Sequence, residues 1–393
     1  MKIVFVNPVG AIGGAERVLL TILAALLTAQ PNIQLHLIVG TDGPLIEQAE
    51  KLGVQVKVLK LPEELNQLGD SAFKGNNKAI AGLILLLRIV KILPSIGKYL
   101  QEFKRSLREL KPDLIHSNGI KTHLLVALAG IKGIPVVWHI HDFYGSRPLM
   151  ALALKWMSDR ATIGIAISQA VAQDARTTLP RLPVEVIYNA VDINYFSPAL
   201  STLPSSPFRV GLVATFARWK GHDIFLEAAA RIVRSHPDLN IRFCIVGGAI
   251  YQTRGSQFSE QELRNKASHL GIAEKVDFLG FQQDIVAIYR SLDIVVHAST
   301  QPEPFGLAIV EAMACGRPVI VSQAGGAAEL FTHNYDAVGV PPGEPIALAT
   351  AILDLLNNFE KRQIISEKAR YTVTERFSHE RLGQQIFAVY KGT

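Results

Sequence analysis

The sequence predicts an α/β protein of two doubly wound parallel-sheet domains, one after the other along the chain. Two observations carry that expectation. Short apolar runs alternate with segments of helical periodicity from the first residues onward, the pattern of parallel strands joined by crossover helices. The alternation lapses at NAVDINYFSPALSTLPSSPF, 189–208, a stretch rich in Pro and Ser, and then resumes with a fresh strand. At 393 residues the chain is also too long for one ordinary domain.

In the first half KIVFVN opens the sheet and a helix follows over 15–29. LHLIVG at 35–40 leads to a helix over 44–52, and VQVKVLKL covers 54–61. DLIHSN at 113–118 precedes a helix over 120–130, with PVVWHIHD at 135–142, TIGIAIS at 162–168 and VEVIYN at 184–189 as further strands. The second half runs FRVGLVATF, helix 222–235, IRFCIVGG, helix 259–270, VDFLGF, helix 283–290, DIVVHAS, helix 307–315 and PVIVSQ. One or two helices over 359–393 close the chain. The expected domains are therefore 1–195 and 196–375, with 376–393 as a closing helix. In such sheets ligands gather at the carboxyl ends of the strands, so the cleft between two of them is the natural site.

Composition narrows the function. Hydrophobic residues make up 49% and charged residues 19%, a globular and rather apolar balance. The two cysteines, Cys244 and Cys315, offer neither a disulfide framework nor a metal-binding spacing. MKIVFVNP lacks the apolar core and cleavage site of a signal peptide, so a soluble protein kept in a reducing, cytoplasmic compartment is expected. The net charge of +6 is uneven: residues 1–195 hold 21 Lys and Arg against 15 Asp and Glu, while 196–393 balance at 19 of each. Between Lys74 and Lys111 nine basic residues face only Glu102 and Glu109. This stretch fits either a basic amphipathic helix on an anionic membrane surface or a pair of ordinary domain helices with solvated basic faces. Its apolar run is too short to span a bilayer. Nucleic acid is not expected, since aromatic interleaving and binding motifs are lacking.

Four stretches carry chemistry. In EPFGLAIVEAMACGRPVI, 303–320, Pro304 and Gly306 mark a loop, and Leu307 to Cys315 favour a helix that Gly316 and Pro318 stop. Glu303 thus lies on the loop and Glu311 about one turn into the helix, on either side of unpaired backbone N–H groups near Gly306–Ala308 that suit an anion. NPVGAIGGAERVLL places Gly10, Gly13 and Gly14 on a loop between strand and helix, where backbone can approach a phosphate or simply turn. It lacks the GxGxxG spacing, which counts against a nicotinamide enzyme. In WHIHDFYG, His139 and His141 are two apart on a strand and point to one side, either toward a substrate hydroxyl or into a structural hydrogen bond. A zinc site lacks a third ligand. In ATFARWKGHDIFLEAA, Arg218 and Lys220 sit on the turn before a helix, where two cations and free N–H groups suit a diphosphate; solvated loop charges are the alternative.

Taken together in this order, these stretches resemble the retaining glycosyltransferases of family 4, which use nucleotide sugars on two Rossmann-like domains (the GT-B fold). The most specific element is E-x7-E, Glu303 to Glu311, supported by GGAE at 13–16, IYNAVDINYFSP at 187–198, WKG at 219–221 and the His141–Asp142 pair. The resemblance covers essentially the whole chain. It implies that Glu303 hydrogen-bonds the donor sugar, that amides around Phe305–Leu307 hold sugar and phosphate, and that Glu311 binds the ribose. It implies that Lys220, with Arg218 nearby, neutralises the diphosphate, and that Gly280 and Phe281 lie against the base. Gly13 and Gly14 would border the diphosphate, and His141 would meet the sugar near the reacting carbon. One departure stands out: many relatives carry Arg where this chain has Thr215.

The implied activity is sugar transfer, of hexosyltransferase type, from a UDP- or GDP-linked donor to a lipid-linked or polysaccharide acceptor. Such an enzyme would serve polysaccharide biosynthesis as a peripheral protein on the inner face of the cytoplasmic membrane. No metal or other cofactor is expected; the nucleotide sugar enters as substrate. The rivals are a nucleotide-sugar epimerase of the same architecture and a non-catalytic membrane-surface module.

Overall fold

A computed structural model describes residues 1–62, 78–199, 206–249 and 255–393, and over 78–92 the backbone alone. The chain forms two compact units, Met1–Ala190 with His379–Thr393, and Val191–Ser378. The division thus falls within the expected linker, whose residues 200–205 lie outside the described part, and the closing helix belongs to the first unit.

The first unit is built on a seven-stranded sheet in the order β3-β2-β1-β4-β5-β6-β7. Its strands are β1 (Lys2–Asn7), β2 (Gln34–Val39), β3 (Gln55–Val58), β4 (Leu114–Asn118), β5 (Val136–Ile140), β6 (Ile163–Ala166) and β7 (Val184–Val186). Every pairing is parallel. All residues of β4 and β5 are buried, as strands covered by helices on both faces must be. The helices are α1 (Gly14–Ala29), α2 (Pro44–Lys51), α3 (Lys78–Leu110), α4 (Ile120–Ala129), α5 (Pro148–Met157) and α6 (Gln169–Thr178). The basic stretch is therefore one helix of 33 residues rather than a pair; its residues 74–77, and its side chains through 92, lie outside the described residues. Beyond them α3 buries Tyr99, Phe103 and Leu107, one turn apart on a single face.

The second unit repeats the plan with six parallel strands in the order β10-β9-β8-β11-β12-β13. These are β8 (Phe208–Val213), β9 (Ile241–Val246), β10 (Val276–Gly280), β11 (Ile294–His297), β12 (Val319–Ser322) and β13 (Val338–Val340). Around them lie α7 (His222–Ser235), α8 (Glu260–His269), α9 (Ile285–Ser291), α10 (Leu307–Ala314), α11 (Pro345–Asn357) and α12 (Phe359–Arg376). Helix α7 buries Phe225, Leu226, Ala229 and Ile232 against the sheet, and Phe225 meets Phe243 of β9 edge-on at 5.9 Å. In each sheet the order reverses beside the first strand, so β1 adjoins β4 and β8 adjoins β11. Those two gaps are the topological switch points. Among the described residues no helix is long and apolar enough to cross a membrane.

The closing helix α13 (His379–Gly392) packs on α1 of the first unit. Contact is close because Gly383 has no side chain: a Cβ there would lie 2.4 Å from the Ala25 carbonyl oxygen. Tyr390, further along α13, places its hydroxyl 2.6 Å from Nδ1 of the buried His116 on β4. We expect Gly383→Leu to destabilise the first unit by about 1–3 kcal/mol, the usual cost of overpacking a tight contact. Urea unfolding reads the change; an unaltered midpoint would show that α13 is not docked as described.

Candidate active site

The loops that follow β8 and β11 are joined at the switch point of the second sheet. Gly221, just before α7, adopts φ 73°, and a Cβ there would fall 1.8 Å from the Ala298 carbonyl oxygen. Thr300 N–H donates to the Trp219 carbonyl at 2.8 Å. Only glycine permits both that angle and that approach. The result is to carry Lys220 onto Glu303, whose carboxylate oxygens each accept from the ammonium at 2.7 Å. Both side chains are largely withdrawn from water, at 18% and 9% exposure. The ammonium also lies 4.1 Å over the Trp219 ring.

Glu303 is held from three further directions. Ser299 Oγ donates to its Oε2 at 2.9 Å, and His297 Nε2 lies 3.2 Å from the same oxygen. Its main chain is tied to the turn after β12, where Gly326 N–H donates to the Glu303 carbonyl at 2.7 Å. Burial alone would raise the Glu303 carboxyl, but the Lys220 charge and the His297 hydrogen bond outweigh it and hold the group well below the usual carboxylate range. The pair is thus a charged, pre-set site rather than a neutral one.

The other expected residues of this unit are placed as follows. Gly306, at φ 103°, caps α10, which Leu307 opens, so the N–H groups there lack intrahelical partners. The Phe305 ring is buried edge-on against Phe377 at 5.9 Å. Glu311, buried one turn into α10, accepts from the Tyr289 hydroxyl at 2.8 Å. Gly280 ends the edge strand β10 and accepts from Gly247 N–H at 2.9 Å, and Phe281 beyond it is 66% exposed. Arg218 turns away from Lys220. It pairs with Glu262 at 2.7 Å, donates to the Gly255 carbonyl and stacks 4.3 Å over Phe258. Thr215 offers no charge in its stead, and its buried hydroxyl has no hydrogen-bond partner among the described residues.

In the first unit Gly13 caps α1 and donates its N–H to Glu16 at 3.0 Å; Gly14 opens the helix with free space around it. His141 lies one residue past β5, which ends at Ile140 rather than Asp142. Its ring stacks on His139 at 4.3 Å, and Nε2 sits 2.6 Å from Asn118 Oδ1. Burial pushes its pKa down to about 4, so the ring is neutral at physiological pH. His139 and His116 are fully buried and lie 3.1 Å apart, which makes His139 a core partner. Sequence reasoning did not single out His297, Ser299 or Asn118, and met Glu16 only as part of GGAE. The available signal was polar residues interrupting buried strand ends, in VVHAS and LIHSN. Among the described residues no group of three His, Cys, Asp or Glu side chains is arranged to hold a metal ion.

Comparison with known proteins bears on the family and the fold. Residues 198–372 match the glycosyl transferases group 1 family and residues 12–195 match glycosyltransferase family 4. The HepE protein of Anabaena, solved with UDP, is similar over the whole of both chains, with 28% identity and a TM-score of 0.79. The same protein has been solved with UDP-glucose. An uncharacterized glycosyltransferase of Methanocaldococcus jannaschii is 28% identical over 306 residues, 72% of this chain and 75% of that one. A D-inositol 3-phosphate glycosyltransferase of Corynebacterium urealyticum is 30% identical over 221 residues, which span about half of either chain (53% and 51%). The two family matches and the likeness to HepE make the chain a glycosyltransferase of the GT-B class. Within that class, the chain belongs to glycosyltransferase family 4, the group 1 glycosyl transferases.

Pairing makes the second unit sensitive to acid. Because the folded Glu303 titrates below its ordinary value of 4.5, its contribution is whole above that pH and is lost as pH falls beneath it. We expect the stability difference between wild type and Glu303→Gln to shrink by about 1.4 kcal/mol per pH unit below that point. Urea unfolding across an acid series measures it, and a difference constant with pH would show that Glu303 is not held ionised.

Proposed function

We propose that the enzyme transfers a sugar, with retention of anomeric configuration, from a UDP- or GDP-linked donor to a glycan or lipid-linked acceptor. The observation that carries this reading is the buried Lys220–Glu303 pair beside the amides that open α10. Without donor, the ammonium rests on the carboxylate. An arriving diphosphate offers Lys220 a stronger partner, and the sugar hydroxyls replace the ammonium on Glu303. Negative charge then builds on the leaving nucleoside diphosphate and is met by Lys220 and by the N–H groups of Gly306 and Leu307. These groups do the work of a divalent ion, and no cofactor is required. Glu311 takes the ribose and Gly280 and Phe281 lie against the base; in the first unit the reading assigns Gly13, Gly14 and His141 to donor binding. The complexes of HepE with UDP and UDP-glucose favour a uridine donor.

A panel of nucleotide sugars, scored by thermal shift and by release of nucleoside diphosphate, tests this. One donor should stabilise the protein and turn over when acceptor is present. Glu303→Ala and Lys220→Ala should each lose at least about 10²-fold in rate while remaining folded. Near-normal turnover by either variant would remove the site assignment.

We further infer that the first unit works against an anionic membrane surface, as a peripheral protein on the cytoplasmic face. Leu149, Leu152 and Trp156 follow one another along one side of α5 and are 43%, 54% and 76% exposed. The helix, PLMALALKWM, holds no carboxylate; Lys155 is exposed next to Trp156, and exposed Asp159 and Arg160 follow the helix. An apolar face with a cation beside it suits the boundary between acyl chains and anionic headgroups. Sedimentation should show binding to anionic but not neutral vesicles at low salt, weakened by Trp156→Ser; equal binding to both would remove the inference.

A further inference from the structure

The geometry points to Asn118, Asn7 and Glu16 as positioning residues that fix His141 in its Nε2–H tautomer and leave its Nδ1 lone pair as the acceptor offered to a ligand. This rests on the reading of His141 as the residue that meets the donor sugar. The four residues come together at the switch point of the first sheet. Asn7 and Asn118 end the adjacent strands β1 and β4, in which Val6 stands opposite Ser117. His141 follows β5, the next strand across, and Glu16 is on α1, which β1 feeds. Glu16, Asn7 and Asn118 are all buried, at 8%, 1% and 2% exposure, so each polar atom must find a partner inside the protein.

The direction of every bond follows from one end. Asn7 Nδ2 lies 2.6 Å from the Val9 carbonyl and 3.3 Å from Glu16 Oε1. A carbonyl and a carboxylate only accept, so the nitrogen of Asn7 must face them and its oxygen must face away. That oxygen is 2.7 Å from Asn118, which must therefore present its own nitrogen there. Asn118 Oδ1 is left toward His141 Nε2 at 2.6 Å, and an oxygen so placed requires a donor. The proton is thus on Nε2. With the ring neutral through burial, Nδ1 is unprotonated. It has no hydrogen-bond partner among the described residues, while stacking on His139, 4.3 Å away and 21° from parallel, holds the plane of the ring. Glu16 is itself anchored by Gly13 N–H on its second oxygen, so the glycine turn before α1 and the tautomer of His141 belong to one network. An acceptor of this kind suits a sugar hydroxyl, which must donate to it.

Nitrogen NMR of histidine-labelled protein reads the tautomer without any substrate, so the result does not depend on the transferase reading. Signals of His141 are identified by their loss in His141→Gln. We expect wild type at neutral pH to show a protonated Nε2 and an unprotonated Nδ1. In Asn118→Leu the same ring should show a mixture of tautomers, with kcat lowered about 10- to 100-fold, as when an outer hydrogen-bond partner is removed elsewhere. A protonated Nδ1 or a tautomer mixture in wild type overturns the proposal, and so does a single Nε2–H form retained in Asn118→Leu. Should that variant fail to fold, the wild-type spectrum decides alone.

Discussion

Removing opposite charges from water is costly unless each finds a partner at close range, and in the second unit Lys220 and Glu303 meet that condition. Lys220 and Glu303 are 83 residues apart in sequence and share two contacts of 2.7 Å. The sheet order makes this possible by setting β8 beside β11, so that the loops leaving them must run side by side. Gly221 and Gly325 then permit main chain to meet main chain: a Cβ at Gly325 would stand 2.6 Å from the Glu303 carbonyl oxygen. Ser299 and His297 complete the shell of the carboxylate. A charged pair already desolvated is a good receptor for a charged ligand, since the cost of drying the site was met when the protein folded.

Burial has opposite outcomes at Glu303 and at the histidines that surround His141. In the second unit, pairing keeps Glu303 ionised against its surroundings. In the first, burial keeps histidines neutral: His116 is pushed down to about 3 and His141 to about 4. Neutral imidazoles have one donor and one acceptor, so they can be ordered by direction as well as by distance. Tyr390 from α13 bonds His116, and His116 in turn lies against His139, beneath His141. The last turns of the chain are therefore part of the core that supports the histidine past β5.

Much of this architecture is legible in the sequence because buried parallel strands are continuous apolar runs. KIVFVN reads as a strand and is one from Lys2 to Asn7; helices over 15–29 and 222–235 appear as Gly14–Ala29 and His222–Ser235. Other elements hide for physical reasons. Helix α5 exposes apolar residues and so lacks a polar face to betray its period, α11 is apolar almost throughout, and β13 is three residues long. The glutamates of E-x7-E stand out by spacing, and their setting on loop and helix follows from Pro304 and Gly306. What sequence cannot disclose is pairing at a distance. Arg218 is claimed by Glu262, 44 residues on, and α13 returns to α1 through a glycine unremarkable in the sequence.

If Lys220 rests on Glu303 only until a diphosphate replaces the carboxylate, the two residues should affect nucleotide affinity in opposite directions. Calorimetric titration with UDP, which has no sugar for Glu303 to hold, separates them. We expect Lys220→Ala to bind UDP at least about 10-fold more weakly, as the loss of a charged hydrogen bond demands. Glu303→Ala, its lysine released, should bind UDP at least as tightly as wild type. Wild-type affinity in Lys220→Ala would contradict the role given to the pair.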